Sequence, residues 1–194
     1  LMNAALWALR SPRMIRQMPR AIYEARDGNY TFLGYGLGLQ RGVYDHISLG
    51  MMISVDCHDH AFSSGPEALD ALIAEYRLHE ALGDTSITGV EIMSFCNVWG
   101  AAPFDLRDGE PLVSSIPTLI LAGEYDSTTP PLFGRRVDET LTNSTYFEFP
   151  GEGHAPTPGN DCAMGIALAF LDNPALEPDS TCIAEMDGPD FVVP

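Results

Sequence analysis

Lysine is absent from the 194 residues. All ten basic side chains are arginine, and they face 27 acidic ones, for a formal net charge of −17. A chain this short of positive charge argues against binding nucleic acid and against docking on anionic membranes. Long apolar runs are also missing, and none approaches the roughly 20 residues needed to cross a bilayer. The first residues lack the basic start and apolar stretch of a secretory signal. The chain opens on Leu1 rather than an initiator methionine, so a processed or truncated piece is expected. No C-x-x-C pair occurs among Cys57, Cys96, Cys162 and Cys182, which argues against a zinc ribbon or a thioredoxin motif. Their even number and wide spacing suit two disulfides in an oxidising compartment, or four buried thiols. Three pairings are open, of which 57–96 with 162–182 closes the shortest loops.

What is present suits a packed core. Hydrophobic residues make up 45% of the chain and mean hydropathy is +0.00, so one domain, or one domain with an appendage, is expected. Charge is unevenly placed. Up to Arg41 there are six arginines and two acids; beyond it, four arginines and 25 acids. Arg10, Arg13, Arg16 and Arg20 have helical spacing and read as a solvated face salt-bridged to the acidic remainder, with docking of an acidic partner as the rival.

Helices are expected over 2–10 and 12–26, the second with a stripe of Met14, Ile15, Met18, Ile22 and Ala25 and a kink or split at Pro19. Residues 34–42 read as a glycine-rich loop. Arg41 stands where G-x-G-x-x-G needs its third glycine, so a dinucleotide site is rejected. Residues 51–56 read as a short buried strand, and Ser64-Gly65-Pro66-Glu67 as a capping box opening a helix. Residues 117–122 form a continuous apolar run of the kind buried on both faces of a parallel sheet. A helix opening at Thr129-Pro130-Pro131 follows, with Phe133, Val137 and Leu141 inward. Next come a strand over 145–149 and a helix over 161–172 with Ala163, Ile166, Ala167, Phe170 and Leu171 inward. Strand, loop, helix, repeated, is an α/β arrangement whose ligands gather at the carboxyl ends of the strands.

Both post-strand loops carry titratable groups, and adjacent strands would bring Asp126 of the first beside His154 of the second. An aspartate that orients a histidine is the acid–base part of a nucleophilic triad, and the order acid then histidine suits the α/β-hydrolase arrangement. Asp126 also has a plainer reading, as an acid ahead of a helix N-terminus. Glu124 and Glu152 read as loop-fixing or exposed acids, and His46 and His79 as surface residues. Asp56-Cys57-His58-Asp59-His60 crowds metal-ligand types, and in a strand His58 and His60 would share a face. No second ligand cluster accompanies it, so no metal and no other cofactor is expected.

The segment Pro117–Pro131, containing Gly123-Glu124-Tyr125-Asp126, resembles the acid-bearing stretch of α/β-hydrolase peptidases, and Gly151-Glu152-Gly153-His154 resembles their histidine loop. Ser54–Asp59, Cys96-Asn97-Val98-Trp99 and Cys162 through Asn173-Pro174 to Cys182 extend the likeness. From about Leu49 onward the chain resembles the C-terminal part of the tripeptidyl-aminopeptidase-like branch, related to proline iminopeptidase. The resemblance implies an α/β-hydrolase fold, with a mainly helical cap over 1–112 and the C-terminal part of the parallel-sheet core over 113–194. It implies Asp126 as triad acid, His154 as triad base and Asp59, where glutamate is more usual, as holder of the substrate's amino group. It also implies the disulfides Cys57–Cys96 and Cys162–Cys182 and a secreted or periplasmic enzyme.

The family's G-x-S-x-G nucleophile motif does not occur in the chain; Ala61-Phe62-Ser63-Ser64-Gly65 comes nearest and reads as a helix cap. The N-terminal hydrolase segment carrying serine and oxyanion hole is therefore expected from the same precursor or a second chain. The expected activity is removal of short peptides or residues from free N-termini. Hydrolysis of small acyl substrates and a non-catalytic binding module are the alternatives.

Overall fold

The computed structural model describes residues 2–44, 46–59, 96, 98–100 and 110–193. The expected helix opening at Ser64, His60, His79 and the Ala61–Gly65 stretch lie outside the described residues. Two compact units are formed, one from Leu1–Asn3 with Leu37–Glu110, the other from Ala4–Gly36 with Pro111–Pro194. Elements run in the order α1 (Met2–Ala8), α2 (Pro12–Arg26), α3 (Thr31–Tyr44), α4 (Leu49–Asp59), β1 (Thr118–Gly123), α5 (Pro131–Asp138), β2 (Ser144–Phe149), α6 (Asp161–Asp172) and α7 (Thr181–Ala184).

Helix α2 starts behind an extended Ser11 with Pro12 in its first turn, where a missing N–H costs nothing. Met14, Ile15, Ala21 and Ala25 are buried. Ile22, expected inside, is 60% exposed. Ala21 lies seven residues after Met14, two helical turns on, whereas Ile22 is rotated a further 100° away. Pro19 sits inside the helix without interrupting it. Ala4, Ala21, Ala25 and Leu33 form a small core of their own, backed by Phe32.

Two expectations fail in the stretch between α2 and the sheet. Residues 34–42, read as a loop, belong to α3. Each glycine in a helix interior costs about 1 kcal/mol relative to alanine, a penalty that α3 tolerates. Gly36 is packed closely, since a Cβ would sit 3.4 Å from Ala4 O and from Met14 Cε. Residues 51–56, read as a buried strand, belong to α4, and Met51 and Val55 on it are exposed. Short apolar runs do not separate strand from helix by periodicity. The deciding local signal is Ser48, whose Oγ accepts from Met51 N–H at 3.4 Å and whose carbonyl accepts from Met52 N–H at 2.9 Å. Cys57 on α4 is fully buried in its disulfide with Cys96, and Trp99 Nε1–H donates to Ser54 Oγ at 2.9 Å. The strand geometry that would align His58 with His60 is thus replaced by helix at His58.

Strands β1 and β2 pair in parallel, with Thr118 opposite Ser144 and Gly123 opposite Phe149. Parallel neighbours need a crossover, and α5 supplies it. The face expected to seat α5 does not do so, because Phe133 and Val137 are exposed. The helix approaches through Gly134 instead. A Cβ there would lie 2.9 Å from Tyr146 Cε2 and 3.2 Å from Ile120 Cγ2. Helix α6 opens on Asn160, whose side-chain oxygen accepts from Ala163 N–H at 3.0 Å. Ala163 and Ile166 are buried against Phe149, with Leu119, Leu121, Phe147, Ile183 and Met186 around them. Leu171, expected inward, is 71% exposed, since only the narrow strip through 163 and 166 is covered. Cys162 on α6 is bonded to Cys182 on α7. Among the described residues no helix is long and apolar enough to cross a membrane.

Candidate active site

The carboxyl ends of β1 and β2 lie side by side, because Gly123 and Phe149 are register partners. The loops leaving them are joined by backbone and side-chain bonds. Glu124 N–H donates to Phe149 O at 3.1 Å, Tyr125 N–H to Glu152 O at 2.9 Å, and Gly151 N–H to the Glu124 carboxylate at 2.8 Å. Two glycines permit this closeness. A Cβ on Gly123 would stand 2.0 Å from Gly153 O, and one on Gly153 would stand 2.5 Å from the Arg10 carbonyl carbon. The loops are also held from the side of α1. His154 N–H donates to Arg10 O at 3.1 Å, and Ser127 Oγ–H donates to Leu6 O at 2.7 Å.

These constraints bring Asp126 and His154 together. His154 Nδ1 lies 2.9 Å from Asp126 Oδ2. Asp126 is only 6% exposed, the one buried charged residue among those described. Its Oδ1 accepts the backbone N–H of Thr128 at 2.8 Å and of Thr129 at 2.9 Å. Its Oδ2 accepts the Thr129 hydroxyl at 2.7 Å. Burial pushes the carboxyl pKa up. The Thr129 N–H, the Thr129 hydroxyl, His154 and the Thr128 N–H together outweigh it, and the net pKa is lowered. Asp126 is therefore an acceptor only, so Nδ1 carries the proton and donates. In the neutral ring the lone pair then lies on Nε2, on the far side. The His154 side chain is 29% exposed. The following residue, Ala155, adopts a left-handed conformation at φ 58°. Such a conformation costs an L-residue about 1 kcal/mol or more, which the surrounding bonds offset.

Thr128 and Thr129 escaped the sequence reading. The signal was present in Asp126-Ser127-Thr128-Thr129, an acid followed two and three residues on by N–H groups it can accept. Asp126, whose plainer reading is an acid ahead of a helix N-terminus, instead accepts from the Thr128 and Thr129 N–H groups in a turn that ends before α5 begins at Pro131, and it gives that helix no side-chain cap. Glu124 and Glu152 act as loop fasteners. Glu152 accepts from Asn160 Nδ2 at 2.8 Å, tying the histidine loop to the start of α6. Asp59 is the last residue of α4. His46 is exposed.

A family model described as TAP-like protein, of the α/β hydrolases, matches residues 80–182, just over half of the chain. The chain belongs to this TAP-like family. The match takes in Cys96, Asp126, His154, Cys162 and Cys182, and leaves Cys57 and Asp59 before it. The two parallel strands with helices around them suit the hydrolase fold of a TAP-like protein. Its two disulfides are of the kind that persists in oxidising surroundings. No curated protein and no solved structure matches the chain.

Proposed function

We propose that this TAP-like chain supplies the acid and the base of a serine peptidase that acts on free N-termini. The observation that carries the reading is the 2.9 Å contact from His154 Nδ1 to a buried, fully bonded Asp126 carboxylate. In this reading the nucleophilic serine comes from a segment outside residues 1–194. Nε2 of His154 takes the serine proton as the oxygen attacks the scissile carbonyl, then gives it to the leaving amine. Asp126 keeps the ring in the tautomer with its lone pair on Nε2 and stabilises the imidazolium that forms. Asp59 holds the substrate's ammonium group.

Two experiments test this. A fluorophosphonate probe applied to the 194-residue chain should leave it unlabelled, since the nucleophile is placed elsewhere; stoichiometric labelling would overturn that placement. In the enzyme assembled with a serine-bearing segment, His154→Ala should lower kcat by about 10⁴-fold or more while folding persists. Turnover retained by the variant rules the base assignment out. Asp59→Asn should raise KM for peptides with a free amino terminus and spare a neutral ester. Equal losses on both substrates would reassign the residue and favour small acyl compounds as the substrate class.

A further inference from the structure

The segment 187–193 touches α2 and both loops that hold the acid–base pair. Val192 N–H donates to Arg16 O at 2.8 Å, and Val192 O accepts from Arg20 N–H at 3.2 Å. Arg16 and Arg20 are four residues apart in α2 and bracket Pro19, which has no N–H to give to the helical ladder. The segment is thus stitched by paired backbone bonds onto the turn of α2 that contains Pro19. Arg16 adds two side-chain bonds to Asp190, from Nε to the carbonyl and from Nη2 to the carboxylate, each at 3.1 Å.

Between these anchors, Phe191 sets its ring edge-on against Tyr125, with centroids 6.4 Å apart and planes at 86°. Tyr125 immediately precedes Asp126, and its N–H is bonded to Glu152 of the histidine loop. Pro189 N lies 3.4 Å from the point where a Cβ would stand on Gly151, in the same histidine loop. The Cys162–Cys182 disulfide ties α7, just before the segment, to α6.

We infer that Phe191 and Val192 are positioning residues for the Asp126–His154 pair. Val192, clipped into the Pro19 turn, presents Phe191 to Tyr125, and this holds the acid loop against the histidine loop. The contacts are ill suited to a general stabilising role. Phe191 is 42% exposed, and the Arg16–Asp190 ion pair lies in solvent, where such pairs contribute little. Their reach is local and falls on the two loops. The catalytic consequence rests on the hydrolase reading above; the positional one does not.

The test uses the full, isotope-labelled chain and needs no turnover. In the wild type, the His154 Nδ1–H should give a resolved low-field proton line, and the Thr128 and Thr129 amides should exchange slowly. In Phe191→Ala, and in Val192→Pro, which removes the N–H given to Arg16, the line should broaden away. Exchange at Thr128 and Thr129 should accelerate by about tenfold, while Ile166 in α6 stays unchanged. Phe191→Tyr, which keeps the ring, should restore both signals. An unchanged line and unchanged exchange in both loss variants would overturn the inference. So would an equal acceleration across β1, β2 and α6, or failure of both loss variants to fold, since either result makes the segment a support of the whole fold. Failure of the peptidase reading would show separately, as turnover retained by His154→Ala.

Discussion

Asp126 has four donors converging on two oxygens, and this decides how the residue responds to acid. Its pKa in the folded chain is lowered, while an unfolded aspartate titrates near about 4. A depressed folded value means that the stabilisation is fully present above the unfolded value and is lost as pH falls through the folded one. Urea denaturation of the chain and of Asp126→Asn should therefore differ most from neutral pH down to about 5, and converge below about pH 4. A gap that stays constant with pH would contradict this. The pairing of Asp126 with His154 was readable from residue types and loop positions. The role of Thr129 was not, because its hydroxyl matters only once the turn has folded back on the carboxylate.

Among the elements, the strands were the most legible. The run 117–122 and the stretch 145–149 appear as β1 and β2 within a residue at each end. A mainly apolar six-residue run followed by glycine has few other homes. The glycines of 34–42 misled because local propensity favours a loop there. At Gly36 the helix packs closely on Ala4 and Met14, a contact with residues distant in the chain. The stretch 51–56 misled because apolar character without alternation suits either element. The faces of α5 and α6 were only partly legible, since Phe133, Val137 and Leu171 are apolar yet exposed. Gly123 gives the sharpest test at this scale. Gly123→Ala forces a Cβ into Gly153 O and should cost about 3 kcal/mol in chemical denaturation. A cost near zero would mean that the two loops part freely.

For the whole molecule, charge and apolar surface pull in opposite directions. A net charge of −17 keeps copies apart. Leu112, Val113, Ile116, Leu168 and Leu171 are exposed large apolar side chains on the unit that carries the pair. Repulsion is screened within about 10 Å at 0.1 M salt, whereas apolar attraction is not weakened by it. Light scattering should therefore report growing association as sodium chloride rises from about 0.01 M to about 0.5 M at neutral pH. Scattering independent of salt would show that charge is not what keeps the chains separate. This behaviour is only half legible in the sequence: the charge can be counted, but which leucines stay outside follows from the packing of α6.

The contact between Gly123 and the carbonyl of Gly153 also bears on how the chain can vary. The spacing of the two loops is set where two main chains meet with no side chain between them, so no choice of rotamer at these two positions can change it. A library that randomises these two positions and is selected for soluble, folded product should return glycine at both, before any demand for activity is made. The closeness of the two loops is inherited from the backbone, and mutational drift has to work around it.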